Sequence, residues 1–284
     1  MTGRNPRGVF VGLATLDVLY ESSGAWAPDR KRVAVRQLIT AGGPAANAAR
    51  TFSALGGDAT LIAPLGQHVL AEAIRADLRA AGVTVIDCSS SPNVAPPISS
   101  IVVDTLTGER SVISVNATGH RVRNIDTEAL DYSSLLIDGH LPGPSLAAAS
   151  AARAHGVPVT FDGGSWKQDT ATLLPAVDYA ICAASFRPPD LSGDETVLEF
   201  LIRAGARAAA ITNGPKPIRY SEGHISGTVS VPVVKAVDTT GAGDVFHGAF
   251  CFYLALERLP FRSALERAAD VASRACTTLG LLKP

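Results

Sequence analysis

Apolar positions along this chain fall into two kinds of pattern. Short buried-type runs read as strands at Val9–Leu13, Thr60–Pro64, Val83–Ile86, Leu135–Gly139, Val157–Phe161, Tyr179–Cys182 and Arg207–Thr212. Amphipathic stretches read as helices at His68–Ala81, which Gly82 stops, and at Ser145–His155, Thr170–Leu174 and Glu195–Arg203. Strand and helix alternate from residue 135 onward, which predicts a parallel sheet covered by helices on both faces. A second group of runs is polar on one side: Thr15–Tyr20, Arg32–Thr40, Ile98–Asp104 and Ser111–Val115, the last two around the turn Leu106-Thr107-Gly108-Glu109. These predict a small β-sheet apart from the core, which one layer alone cannot bury on both faces. A hairpin over Ile218–Tyr220 and Val229–Val231 then leads to two helices, Val245–Glu257 and Arg262–Thr278, parted by Leu259-Pro260.

The stretch with the most chemistry lies just before those helices, V-D-T-T-G-A-G-D-V-F-H-G-A-F from Val237 to Phe250. Gly241, Ala242 and Gly243 make a tight turn opening into a helix, with no large side chain over the backbone. The first N–H groups of a helix lack intrahelical partners and, with the helix dipole, form an anion site. Asp244 stands beside that site. A carboxylate there repels an anion unless its task is to take a proton from a nucleophile attacking that anion. An anion hole with an adjacent base is what phosphoryl transfer to a hydroxyl requires. Read blandly, Asp244 merely complements a helix N-terminus. A second glycine turn, Gly42-Gly43, opens the small-residue run Pro44–Ala49 that holds Asn47. Asn47 suits a polar ligand, or equally a local backbone donor. Asp17, Asp138, Asp162, Ser185 and Thr212 follow strand ends, where a doubly wound sheet gathers its ligands. By position alone Asp17 is equally an ordinary turn aspartate.

Composition narrows the classes. With 284 residues, 46% hydrophobic and 18% charged, the chain can bury one large core. Its net charge of −1 gives no electrostatic footprint for nucleic acid or an anionic membrane. Val9–Ala14 is too short for a signal or spanning segment, and a cytoplasmic protein is expected. Cys88, Cys182, Cys251 and Cys276 are scattered, which predicts buried free thiols in a reducing compartment. No clustered Cys/His set suggests a transition metal, and no G-x-x-x-x-G-K-[ST] suggests a P-loop.

D-T-T-G-A-G-D-x-F-x-G-A resembles the C-terminal signature of the ribokinase-like carbohydrate kinases, also called the phosphofructokinase-B family. Gly42-Gly43…Asn47, followed by Gly56, Gly57 and Gly66, resembles its N-terminal signature. The resemblance covers nearly the whole chain, 1–284 as one domain. It implies a three-layer α/β/α sandwich with a mostly parallel sheet and a small β lid from segments near 15–40 and 98–116. It further implies ATP and Mg²⁺ as cofactors, K⁺ in many members, and a homodimer through the lid. By resemblance, Asp244 is the base and Gly241, Ala242 and Gly243 the anion hole. Asp17, Gly42, Gly43, Asn47, Asp138 and Arg110 meet sugar or the moving phosphate. Lys167, Ser185, Thr212, Gly214, Gly241 and Gly243 meet the nucleotide, Ala275–Gly280 matches the last nucleotide loop, and Asp238 and Thr240 offer oxygens to a monovalent cation.

The chain departs from the family in places. Gly66-Gln67-His68 replaces the usual Gly-Asp-Asp, and Gly164 replaces an Asn after Asp162. Ala184–Pro188 lacks the N-x-x-E that organises Mg²⁺, which leaves the ion chiefly to ATP oxygens. The first signature with Pro44 is similar to sulfofructose kinase, and the Gln67-His68 and Arg110 regions to ketohexokinase. A ketohexose-like acceptor follows. Two other readings stand beside it. A nucleoside kinase of the same fold would want aromatic surfaces near the lid, where only Tyr20, Trp26 and Phe52 lie. A catalytically weak sugar-binding or sensing member would explain the missing N-x-x-E. His247 reads as a packed or solvated helix residue rather than a catalyst.

Overall fold

The computed structural model describes residues 5–24, 29, 31–91, 93–107, 110–117, 119–189, 191 and 196–278. Trp26, the Gly108-Glu109 turn, Glu195 and the end of the Ala275–Gly280 loop lie outside the described residues. The predicted strands pair as β1 (Arg7–Val11), β4 (Asp58–Ala63), β5 (Val83–Asp87), β8 (Ser134–Ile137), β9 (Val159–Gly163), β10 (Tyr179–Ala183) and β11 (Ala208–Asn213). All seven run parallel to one another. β12 (Lys216–Glu222) and β13 (Ile225–Val229) extend the edge antiparallel, giving the order β13-β12-β11-β10-β9-β8-β1-β4-β5. The hairpin's second strand thus comes earlier than Val229–Val231. The two-residue turn at Gly223 sets a register that leaves Val231 in the following loop.

Alternate side chains on each strand enter opposite layers, as strand geometry dictates. Val9, Val11, Leu135 and Ile137 join the layer built by α3 (Pro142–Ala154), α4 (Thr170–Leu173) and α5 (Val197–Arg203). Phe10 and Leu136 join the layer of α1 (Pro44–Ala54), α2 (Val69–Ala80), α6 (Ala242–Glu257) and α7 (Phe261–Ala275). In that layer Phe52 meets Phe10 and Phe252 edge-on, with ring centroids 5.4 and 5.5 Å apart. Each fully buried Phe is worth roughly 1.5–3 kcal/mol of transfer free energy. His68 takes the cap position of α2, its Nδ1 accepting from Leu70 N at 3.2 Å, so the departure from Gly-Asp-Asp costs that helix no cap.

The smaller sheet forms as expected from β2 (Thr15–Ser22), β3 (Arg36–Gly42), β6 (Ile98–Asp104) and β7 (Arg110–Ser114), in the order β3-β2-β6-β7. Leu16, Leu19 and Ile101 anchor it, while Ile39, Val112 and Ile113 stay exposed, Ile113 at 75%. β3 runs through the buried Ala41 into α1, so the small sheet and the first glycine turn are one continuous piece.

The sheet order reverses between β1 and β8. From β1 the chain moves outward to β4 and β5, and from β8 it moves the other way. Such a switch point opens a crevice at the carboxyl ends of the strands.

Candidate active site

At the switch point the chain needs three glycines. Gly43 has φ 97° and ψ 147°, and a Cβ there would run into the Leu13 carbonyl oxygen. Cβ atoms at Gly12 and Gly42 would collide with the carboxylates of Asp138 and Asp17. Asp138, 1% exposed, therefore sits directly against the backbone. Its Oδ2 accepts from Leu13 N at 2.7 Å and Ala45 N at 3.3 Å, and its Oδ1 accepts from His140 N at 3.0 Å. One carboxylate thus ties the exit of β1, the exit of β8 and the start of α1. Asn47 is one turn into α1 and 5% exposed. Its Nδ2 donates to Asp244 Oδ2 at 2.7 Å, while its Oδ1 is buried without a partner.

Asp244 belongs to α6, which begins three residues earlier than the apolar run suggested. Gly241 takes a left-handed conformation, φ 69°, and Ala242, Gly243 and Asp244 form the first helical turn. The apolar pattern could not show this, because residues of a helix's open end face ligand rather than core. A Cβ on Gly243 would meet nothing within 4 Å, so this helix end is open space where a phosphate can approach. Burial pushes the Asp244 carboxyl up to about 7, with Asp162 adding to the rise. The Asn47 hydrogen bond and His247 pull the other way. A carboxylate poised near neutrality is suited to accept a proton.

On the small sheet, Asp17 takes a hydrogen bond from Thr15 Oγ1 at 2.6 Å. Burial raises its carboxyl, against hydrogen bonds from Thr15 and Ser99 and the charge of Arg50. Arg110, on β7, donates from Nη1 to Thr239 Oγ1 at 3.1 Å, joining the sheet to the turn before α6. Arg110 also lines a cavity of about 500 Å³ with Thr212, Gly214, Ala242, Gly243 and Phe246. Its far wall is apolar, including Ile218, Val231 and Ala272. A cavity ending at an open helix N-terminus beside an arginine fits a nucleoside triphosphate. A second cavity of about 370 Å³, beside Tyr132 and His155, lies at the amino ends of β8 and β9, away from these groups.

Lys167 and Ser185 stand outside the cavity wall. Lys167 Nζ donates to Ser165 O at 3.4 Å and Ser185 Oγ to Gly164 O at 3.3 Å. The Lys167 charge acts on Asp162 and His140 at the strand ends. Asp238 Oδ1 accepts from Thr240 N at 2.8 Å, and Cys276 O accepts from Val237 N and Asp238 N at 2.7 and 3.2 Å. That ties the turn before α6 to the end of α7. Among the described residues, no group of three or more His, Cys, Asp or Glu could hold a metal ion. The four thiols are free, yet only Cys88, Cys182 and Cys251 are buried. Cys276 is partly exposed because it lines the cavity. His247, set aside in the sequence, is 3% exposed and lies 3.5 Å from Asp162. A lone polar ring inside the apolar run Val245–Phe250, three residues after Asp244, was the signal that marked it.

The description "pfkB family carbohydrate kinase" matches residues 6–284. The chain belongs to the pfkB carbohydrate kinase family. It is 27% identical over 251 residues to the ribokinase of Bacillus subtilis, covering 84% of this chain and 82% of that protein. It is 24% identical over 280 residues to the bifunctional ribokinase/ribose-5-phosphate isomerase A of Fructilactobacillus sanfranciscensis, covering 93% of this chain. There the kinase spans about half of the relative, 52% of its length. Among solved structures, Arabidopsis thaliana ribokinase complexed with ribose and ATP has a TM-score of 0.76 at 22% identity, covering 98% and 95% of the two chains. That likeness extends the ribokinase-like fold over the whole chain. No helix among the described residues is long and apolar enough to cross a membrane.

Proposed function

We propose that this kinase transfers the γ-phosphoryl group of ATP to the primary hydroxyl of a ketohexose-like sugar. The observation that carries it is the Asp244 carboxylate, held by Asn47 within the first turn of a helix whose open end lines the 500 Å³ cavity. Asp244 takes the proton from the attacking hydroxyl. The hydroxyl oxygen forms the new P–O bond as the bond to the β-phosphate bridging oxygen breaks, and ADP leaves. The backbone amides of Gly241, Ala242, Gly243 and Asp244 at this helix end stabilise charge on the equatorial oxygens. Arg110 stands where a second positive charge would meet them. Asp17, Gly42, Gly43 and Asn47 orient the sugar, and Asp138 does so by fixing the backbone they hang from. Mg²⁺ carried in with ATP would supply further charge neutralisation. Asp238 and Thr240 oxygens are the proposed monovalent-cation donors.

The ketose assignment rests on the likeness to ketohexokinase and sulfofructose kinase motifs. Ribose is the rival acceptor, because the whole-length relatives are ribokinases. The exposed Ile39, Val112 and Ile113 suit pairing of two small sheets across a dimer, and free thiols suit the cytosol. ADP release with Mg-ATP tests the proposal across ketohexoses, sulfofructose, sugar phosphates, ribose and nucleosides, with and without K⁺. Turnover on a ketohexose supports it; turnover on ribose or nucleosides alone reassigns the acceptor. Sugar binding without ADP release points to a sensor.

A further inference from the structure

We infer that His247 is a positioning residue held as an imidazolium, and that its charge, balanced by Asp162, keeps the Asp244 carboxylate and the open end of α6 ready for an anion. The role rests on the phosphoryl-transfer reading; the protonation state does not.

His247 lies one turn beyond Gly243 on α6. Its Nδ1 is 2.7 Å from Gly243 O and its Nε2 is 3.1 Å from Ile181 O on β10. Both partners are carbonyl oxygens, which only accept. A neutral imidazole carries one N–H, so one of its nitrogens would turn a lone pair toward a carbonyl oxygen. The doubly protonated ring satisfies both contacts. A third observation supplies the counter-charge. Asp162, 6% exposed at the end of β9, places Oδ2 3.5 Å from Nδ1, and among the described residues that oxygen has no hydrogen-bond partner. Burial pushes the Asp162 carboxyl up, and the His247 charge is the largest pull back toward the ion.

The surroundings favour the extra proton. Asp244 stands one turn away on α6, Asp138 at the exit of β8 and Asp162 on β9. Among the described residues, Lys167 and His140 act on Asp162 from the other side, and burial pulls the His140 imidazole down toward its neutral form. The thiols of Cys182 and Cys251 are pushed up by burial and stay neutral. Three carboxyl groups thus outnumber the fixed positive charge in this pocket. With residues three apart on a helix being neighbours, the imidazolium favours ionised Asp244 against the burial that disfavours it. It also adds positive field beneath the amides that meet the phosphate.

Histidine ring ¹⁵N NMR of the full chain reads the protonation directly, with the His247 signal assigned by its loss in H247Q or H247N. Two protonated ring nitrogens at about pH 7.5 is the expected result, because both face carbonyl oxygens. A single protonated nitrogen there overturns the inference. D162N keeps the shape but removes the counter-charge, and His247 should then lose its second proton at that pH. Unchanged double protonation would break the pairing with Asp162. The acid limb of kcat/KM in H247Q should move up by about one unit. An unmoved limb reduces His247 to packing. If the wild-type chain phosphorylates no sugar, the transfer reading fails, while the NMR result still decides the imidazolium.

Discussion

α1 and α6 pack against each other and begin alike. Each starts at a glycine with positive φ, 97° at Gly43 and 69° at Gly241, and neither has a side-chain cap. Their open ends are used in opposite ways. The protein fills the end of α1 with its own Asp138, whose carboxylate also accepts from Leu13 and His140. No described residue fills the space over Gly243 at the end of α6, and that end lines the cavity. A helix N-terminus is thus a general anion socket. Plugged from within it fixes a scaffold; left open it takes a ligand. Asn47 on α1 reaches Asp244 on α6, so the plugged helix holds the first-turn carboxylate of the open one.

Substitutions at the two helix ends should separate these uses, and the largest effect belongs to the open end. Asp244→Asn should lower kcat by about 10²–10⁴ with sugar binding little changed. Activity retained within a factor of two would remove the base from α6. The two glycine ends should respond differently to the same change. Gly43→Ala meets both a forbidden backbone angle and the Leu13 carbonyl, and chemical denaturation should show a loss of about 2–4 kcal/mol. Gly243→Ala has room, so its stability should stay within about 0.5 kcal/mol while calorimetry shows weaker ATP binding. The reverse outcome would break the comparison.

Asp138→Asn should cost about 1–3 kcal/mol in urea unfolding, because an amide turns donors toward amides that need acceptors. An unchanged midpoint would mean that the plug contributes only shape. The smallest effect is on pH. Folding raises the Asp244 carboxyl to about 7, so the folded state binds more protons than the unfolded chain between about pH 4 and 7. Stability should therefore fall as pH rises through that window, and the term should be absent in Asp244→Asn. A shift of that size corresponds to at most about 4 kcal/mol, reduced to about 1–2 by the partly open edge of the side chain. Equal slopes in wild type and variant would show that Asp244 is not the raised group.

Much was legible along the chain because period and turn chemistry are local. The alternation after residue 135 fixed the kind of sheet, four half-polar runs foretold the small sheet, and Gly241–Asp244 announced a glycine turn opening a helix with a carboxylate in its first turn. Gly43 and Gly241 read as turns because their backbone angles exclude other residues. Local pattern had no access to pairings between distant segments. Asp138, Asp17 and Asn47 looked alike as strand-end or early-helix polar residues. Only the reversal of strand order between β1 and β8 made Asp138 a plug held by backbone amides, and only the packing of α1 on α6 brought Asn47 to Asp244 across 197 positions. His247 was hidden for the same reason: its partners come from β9, β10 and the helix turn behind it, segments that only the fold brings together. The sequence determined which local devices exist, since φ, period and donor count belong to single segments. The tertiary structure decided which device faces a ligand and which faces the protein, since that depends on what other chain segment occupies the space.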